Sequence, residues 1–398
     1  MYSLFTLGEP EADALALLSD RGTGTSHLLH MPAHIYLRVG RYQDAITSSV
    51  KAIHTDNMYI EKCLVPYVPL HNVAMLVAAS LLSGSFKGAL EYSPFTTASM
   101  PDMAAVHLPA LFPTPRDIIL VRMGKWQAII DLFKAPSTEE GQFDKSELLR
   151  VRRSISHTST LKSGENGTRL LGDSSPSAVT TPPYIRAMRA YSQTLAHLGL
   201  DDLKSGKKYL DVLTASVDNI PYDALPVEHP FYPNHHEIGE IFLAIGKAAY
   251  SMKEGGASEE KSETALDGAI ASMLTAVRIQ TSFSYMEPEH FYFPTRQCLG
   301  ALLMKKASLS IRNGPENKAL HESMINEAIN AYKVDLHDHP NNIWSLRGLQ
   351  NAYALAEDSG LKIVDKVLTL KTGMNAAVHV ASEGSKNIRD SCCELSLC

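Results

Sequence analysis

A cationic surplus is missing from this chain: 37 Lys and Arg stand against 43 Asp and Glu, a formal net charge of −6 over 398 residues. Without a basic excess there is no long-range attraction to a polyanion, so neither nucleic acid nor a membrane is expected as a partner. Long apolar runs are missing too. The longest, around Val73 to Leu82, breaks at Ser83-Gly84, is too short to span a bilayer and is read as a core helix. Cysteine is sparse: Cys63 and Cys298 lie in apolar helical contexts, while Cys392, Cys393 and Cys398 crowd the tail. Such an odd, unevenly spaced set argues against a disulfide framework. The opening MYSLFTLGEPEADALALL has no basic leader and turns acidic by position 9, so a cytoplasmic location is expected and Asn166-Gly167-Thr168 is read as a chance sequon. HExxH, a Gly-rich phosphate loop and a Ser-His-Asp signature are also absent, so no motif by itself demands an enzyme.

What is present is helical. Hydrophobic residues make up 44% of the chain, enough for a sizeable core. In HLLHMPAHIYLRVGRYQDAITSSVKAI, residues 27–53, Ala33, Ala45 and Ala52 allow two helices to approach closely, Tyr36 and Tyr42 fill the groove between them, and Gly40 permits the turn. The turn recurs: Gly40-Arg41-Tyr42 with Ala45 returns as Gly84-Ser85-Phe86 with Ala89, and as Gly124-Lys125-Trp126 with Ile129. Degenerate hairpins follow at 182–200 with Lys204 to Ala215, at Glu237 to Met252 with Thr264 to Gln280, and at Pro294 to Ser308 with Ser323 to Asp335. No β-branched alternation long enough for a sheet appears.

Residues 137–181 break the pattern. Rich in Ser, Thr and Gly and without apolar periodicity, they are expected to form a disordered insert that contains the basophilic Arg152-Arg153-Ser154. The expected organisation is therefore N-terminal repeats over 1–136, the insert over 137–181, C-terminal repeats over 182–380 and a flexible Cys-containing tail over 381–398. A helix over Glu9 to Leu18 reads as the second half of a hairpin whose first half is missing, which suggests a truncated or differently capped beginning.

Leu29, Ala33, Tyr36, Gly40, Tyr42, Ala45 and Ala52 stand at the packing offsets of a tetratricopeptide repeat, and Ala328, Tyr332, Pro340, Trp344 and Gly348 match the junction of two further repeats. The chain resembles the tetratricopeptide-repeat (TPR) proteins. With HMPAHIYLRVGRY at 30–42, Pro-x-His-Asn at 69–72, YMEPEHFYFPTRQ at 285–297 and HPNNIWSLRGL at 339–349, it also resembles an uncharacterised, mostly bacterial branch of them. The resemblance implies an all-α fold, an α-solenoid of antiparallel helical hairpins wound into a TPR-like superhelix. It also implies a concave groove lined by the second, fifth, ninth and thirteenth positions of each first helix. Those are His27, His30, His34 and Arg38 in the first unit, with His71 and Arg122 from the next two.

Two readings of function follow. The first is an interaction scaffold that holds a peptide, a protein or a polar ligand in the groove, with Arg38, Arg122, Glu287, His290 and Gln297 as ligand-binding residues. The alternative is a metal-dependent enzyme or small-molecule-binding protein. His30, His34 and His71, a one-turn pair plus a neighbouring helix, offer the neutral imidazoles that zinc or another transition metal takes as ligands. Pro32 tempers this, because a helical proline is favoured at the first turn and its presence places His30 ahead of the regular helix. His235, His236 and Glu237 read as a helix start, His337 and His339 as a helix end, and Cys392 and Cys393 as tail residues able to meet a metal as thiolates.

Overall fold

The computed structural model describes residues 25–62, 64, 66, 69–92, 116–134, 183–222, 234–255, 259–291, 293–312, 317–361, 391, 392, 394 and 395. The expected insert at 137–181, the expected helix over Glu9 to Leu18 and the sequon lie outside these residues. Thirteen helices and no strand are present among the described residues. They are α1 (Ser26–Arg38), α2 (Tyr42–Glu61), α3 (Pro69–Ser83), α4 (Phe86–Tyr92), α5 (Arg116–Arg122), α6 (Trp126–Phe133), α7 (Pro183–Gly199), α8 (Leu203–Asp218), α9 (His235–Glu254), α10 (Glu259–Ser282), α11 (Arg296–Arg312), α12 (Lys318–Asp338) and α13 (Ile343–Asp358). None is long and apolar enough to cross a membrane.

One turn recurs because one backbone motif satisfies the carbonyls left over at a helix end. Gly40, Gly84, Gly124 and Gly360 all have positive φ, and Asp201 takes the same left-handed conformation at φ 61°. After each, the next N–H returns five residues: Arg41 to Tyr36 O, Ser85 to Ser80 O, Lys125 to Leu120 O, Asp202 to His197 O and Leu361 to Ala356 O. This is the bond of a Schellman cap, and glycine enters the left-handed region without the penalty of a Cβ. The three glycine turns expected from sequence are in place, and at the fourth an aspartate does the same work. Helix α9 starts as its sequence suggested: Asn234 and Glu237 form a reciprocal capping box, His235 stacks on Tyr184, and His236 packs on Tyr222.

Each helix packs on its chain neighbour, and α1 on α3, α5 on α7, α7 on α9 and α11 on α13 extend the contact to the second neighbour. The buried side chains form three apolar clusters, one among α1, α2 and α3, one reaching from α2 to α5, and a large one over the remaining helices. Helices from the two ends of the described chain also meet. Ile343 and Trp344 of α13 join the cluster of α2 to α5, and the Trp344 indole donates to Leu81 O at 2.8 Å. Gly40 lies so close to the α12–α13 turn that an added Cβ would come 2.1 Å from Pro340 O. With φ already at 76°, Gly40→Ala is expected to destabilise the fold by about 1–3 kcal/mol, measured as a lowered urea midpoint.

Two expectations are corrected here. The tail is not loose over residues 391, 392, 394 and 395: Cys392 and Glu394 are 0% exposed, and Leu395 belongs to the large cluster. Cysteine is also not without a bridge, since Cys298 of α11 is bonded to Cys392. A link between positions 94 apart leaves no spacing pattern to read.

Candidate metal centre

Helix α1 begins at Ser26 and runs through Pro32, so His30 is helical, contrary to the expectation drawn from the proline. Pro32 withholds one donor from the ladder, the one Leu28 O would have received, but the packing of Ala33, Tyr36 and Leu37 carries the helix on. His30 and His34 therefore project from one face, four residues apart. Helix α3 supplies His71. Its place is fixed by the next residue, because buried Asn72 donates from Nδ2 to Asp56 Oδ2 of α2 at 2.7 Å, and the same carboxylate accepts from Ser26 at the head of α1. One buried aspartate of α2 thus ties together the two helices that carry the site.

The three rings converge through their Nε2 atoms. His30 Nε2 lies 2.8 Å and His71 Nε2 3.2 Å from His34 Nε2, and the ring centroids of His30 and His71 are 4.6 Å apart. An ion held tetrahedrally by imidazoles at about 2.1 Å sets its ligand nitrogens about 3.4 Å apart, so a few tenths of an ångström of ring movement completes the geometry. His30 is buried, whereas His34 and His71 are half-buried and leave one side open to solvent. Burial first, then the neighbouring imidazoles, lowers His30 to a pKa of about 2 and His71 to about 4, which keeps both rings in the neutral form a metal requires.

Glu287 orients the middle ring. Its Oε2 accepts from His34 Nδ1 at 2.7 Å, which places the proton of the neutral ring on Nδ1 and the lone pair on Nε2. A carboxylate behind a ligand histidine is a recurrent companion of metal sites. His30 lacks such a companion: its buried Nδ1 has no hydrogen-bond partner among the described residues. Arg38, one turn beyond His34, stands 3.9 Å from Glu287 Oε1, lies over the Tyr285 ring and donates to Asp338 O.

Of the other expected ligand-binding residues, Glu287 joins the site as a support rather than as a contact for ligand. His290 lines a separate cavity of about 250 Å³, together with Arg38, Gln280, Tyr285, Glu289 and His339. Arg122 and Gln297, expected along an open groove, are instead enclosed, at 1% and 0% exposed. Arg122 is packed between Trp344 and Phe293 and paired with Glu394, while Gln297 accepts from Asn342. Their partners lie far along the chain, beyond the reach of repeat counting.

Sequence reasoning missed His339, which it took for a helix cap alone. Its Nδ1 donates to Asp335 Oδ1 at 2.8 Å and its Nε2 to Glu289 Oε1 at 2.7 Å. The Asp335-x3-His339 spacing was the available signal. Asp335 is itself held by Asn342 Nδ2 and the Ser345 hydroxyl. Burial opposes the imidazolium, but the Glu289 and Asp335 carboxylates outweigh it and hold His339 well above the usual histidine value of 6.5. A raised folded value contributes stability that is full below about pH 6.5 and is lost as pH rises through the folded value. The urea midpoint of the protein is therefore expected to fall as the pH is raised above about 6.5, and His339→Gln should flatten that decline.

Comparison of the chain with family models, curated proteins and solved structures returns no match.

Proposed function

We propose that this protein is a metal-dependent binding protein whose ion, zinc or a similar transition metal, is held by the Nε2 atoms of His30, His34 and His71. The observation that carries the reading is the meeting of three imidazole nitrogens from two helices at one half-open point, with Glu287 fixing the tautomer of the middle ring. Three protein ligands leave zinc a fourth position for water or a ligand oxygen, the pattern of sites that act on small molecules rather than of closed structural sites. The cavity beside Arg38 is the place for a small polar ligand, and Arg38 and Tyr285, which both line it and both reach Glu287, join the two regions. The helical array itself we read as a TPR-like solenoid of the bacterial branch named above. Support for this comes from the recurring Schellman turns and from the packing of helices on their second neighbours. The use of that array as a scaffold for a protein or peptide is the second reading, favoured by the burial of residues 391, 392, 394 and 395 among its helices.

Calorimetric titration with Zn²⁺ tests the metal reading. One equivalent per chain is expected for the wild type and none for His34→Ala, with the helical circular dichroism of both unchanged. Glu287→Gln should bind about 10–100-fold more weakly, the usual loss when the partner behind a ligand histidine is changed. Equal binding by wild type and His34→Ala would sink the reading.

A further inference from the structure

A second buried charged group lies away from the metal centre. Arg122 donates from Nη1 to both oxygens of Glu394, at 2.9 and 3.1 Å, and its guanidinium lies 3.7 Å from the Trp344 ring centroid and 4.9 Å from that of Phe293. Around the pair, residues 391, 392 and 395 are seated as a bound peptide would be. Ser391 Oγ is 2.8 Å from the Tyr332 hydroxyl and donates to Gln297 O, Cys392 is bonded to Cys298, and Leu395 enters the apolar cluster. Yet the chamber has more donors than this segment uses. Arg122 Nε and Nη2, Gln297 Nε2 and the Tyr191 hydroxyl are all buried and have no hydrogen-bond partner among the described residues. Buried donors without acceptors are costly, and the two on Arg122 itself, beside the Glu394 carboxylate, describe a site suited to an occupant richer in anionic oxygen. A guanidinium on an aromatic floor is a usual means of selecting a carboxylate, and the two free nitrogens of Arg122 leave the rest of its fork for a further anionic oxygen.

We propose that the Arg122 chamber is a binding site for carboxylate-bearing peptide segments, that residues 391, 392, 394 and 395 are its internal occupant, and that the Cys298–Cys392 disulfide is the latch that keeps external segments out. The inference is independent of the metal reading, since it shares no residue with the three-histidine site. Opening the latch takes two electrons and two protons from a dithiol, which becomes a disulfide as Cys298 and Cys392 become thiols. Both sulfurs are buried, so the reductant reaches them when the segment lifts. Once free, the segment still competes as a tethered ligand at an effective concentration of about millimolar, so a covalent readout is preferable to an affinity.

The test is disulfide trapping at Cys298. Full-length Cys392→Ser is incubated in a glutathione buffer with a synthetic peptide spanning Ile388 to Leu397, its residue equivalent to Cys393 replaced by serine. The peptide thiol and the Cys298 thiol join with transfer of two electrons and two protons to oxidised glutathione, giving two molecules of the reduced form. Mass spectrometry of the digested product locates the bond. Trapping at Cys298 is expected at least tenfold faster than with the same peptide carrying Gln in place of the residue equivalent to Glu394. The wild type supplies a second arm that does not depend on the folding of the variant: the peptide thiol should attack Cys298 of the Cys298–Cys392 bond, forming the mixed disulfide as the Cys392 thiol is released, and again at least tenfold faster for the Glu than for the Gln peptide. Equal trapping of the Glu and Gln peptides, or no trapping at Cys298 in either protein, would overturn the proposal.

Discussion

Glu394→Ala is expected to lower the free energy of unfolding by about 3–5 kcal/mol, the loss seen when one member of a buried ion pair is removed and the other is left uncompensated. Arg122 is 1% exposed and Glu394 0%, and no other carboxylate forms an ion pair with Arg122 among the described residues. The pair as a whole contributes far less than this, because taking two charges out of water offsets most of their attraction. An Arg122→Met, Glu394→Leu double variant should therefore recover much of the loss. Urea denaturation at neutral pH measures both. A loss below about 1 kcal/mol for the single variant would mean that water reaches Arg122, and that the chamber is less enclosed than described.

Trp344→Ala is expected to cost about 3–5 kcal/mol, the range for deleting a large aromatic from a core. Three separate contacts end with that one ring. Its body fills the cluster shared by α2 to α5 and α13, its Nε1 donates to Leu81 O, and its face carries the Arg122 guanidinium. Since the same residue joins helices from both ends of the chain, the variant should also unfold with a broader transition. Trp344→Phe, which keeps a ring but not the indole donor, should recover more than half of the loss. A Trp344→Ala midpoint equal to that of the wild type would show that the two ends are held together elsewhere.

The turns and the histidine centre were legible because both are local. Gly40, Gly84 and Gly124 stand where only a residue tolerant of positive φ closes a helix, and that requirement is written in single letters. His30 and His34 share a face because four residues make about one helical turn, and His71 follows from the neighbouring unit in register. What failed was distant. Glu287 is 253 residues from His34, and Glu394 is 272 from Arg122, so neither pairing leaves a periodic mark. Arg122 was assigned to an open groove because position in a repeat says which way a side chain points, not what else is folded over it. Pro32 misled for the opposite reason: a local rule about helix starts was overridden by packing, in which Ala33, Tyr36 and Leu37 bury against α2 and α3. His339 was legible as a helix end, but the second carboxylate that makes it an imidazolium comes from Glu289, outside its own helix.

The central claim is that three imidazoles hold one ion. Anomalous diffraction at the zinc edge from crystals of the zinc-loaded protein tests it most directly. The expected result is a single strong peak about 2.1 Å from the Nε2 atoms of His30, His34 and His71, with Glu287 still bonded to His34 Nδ1. A peak at any other group of side chains, or none at this one in protein exposed to excess zinc, would contradict it.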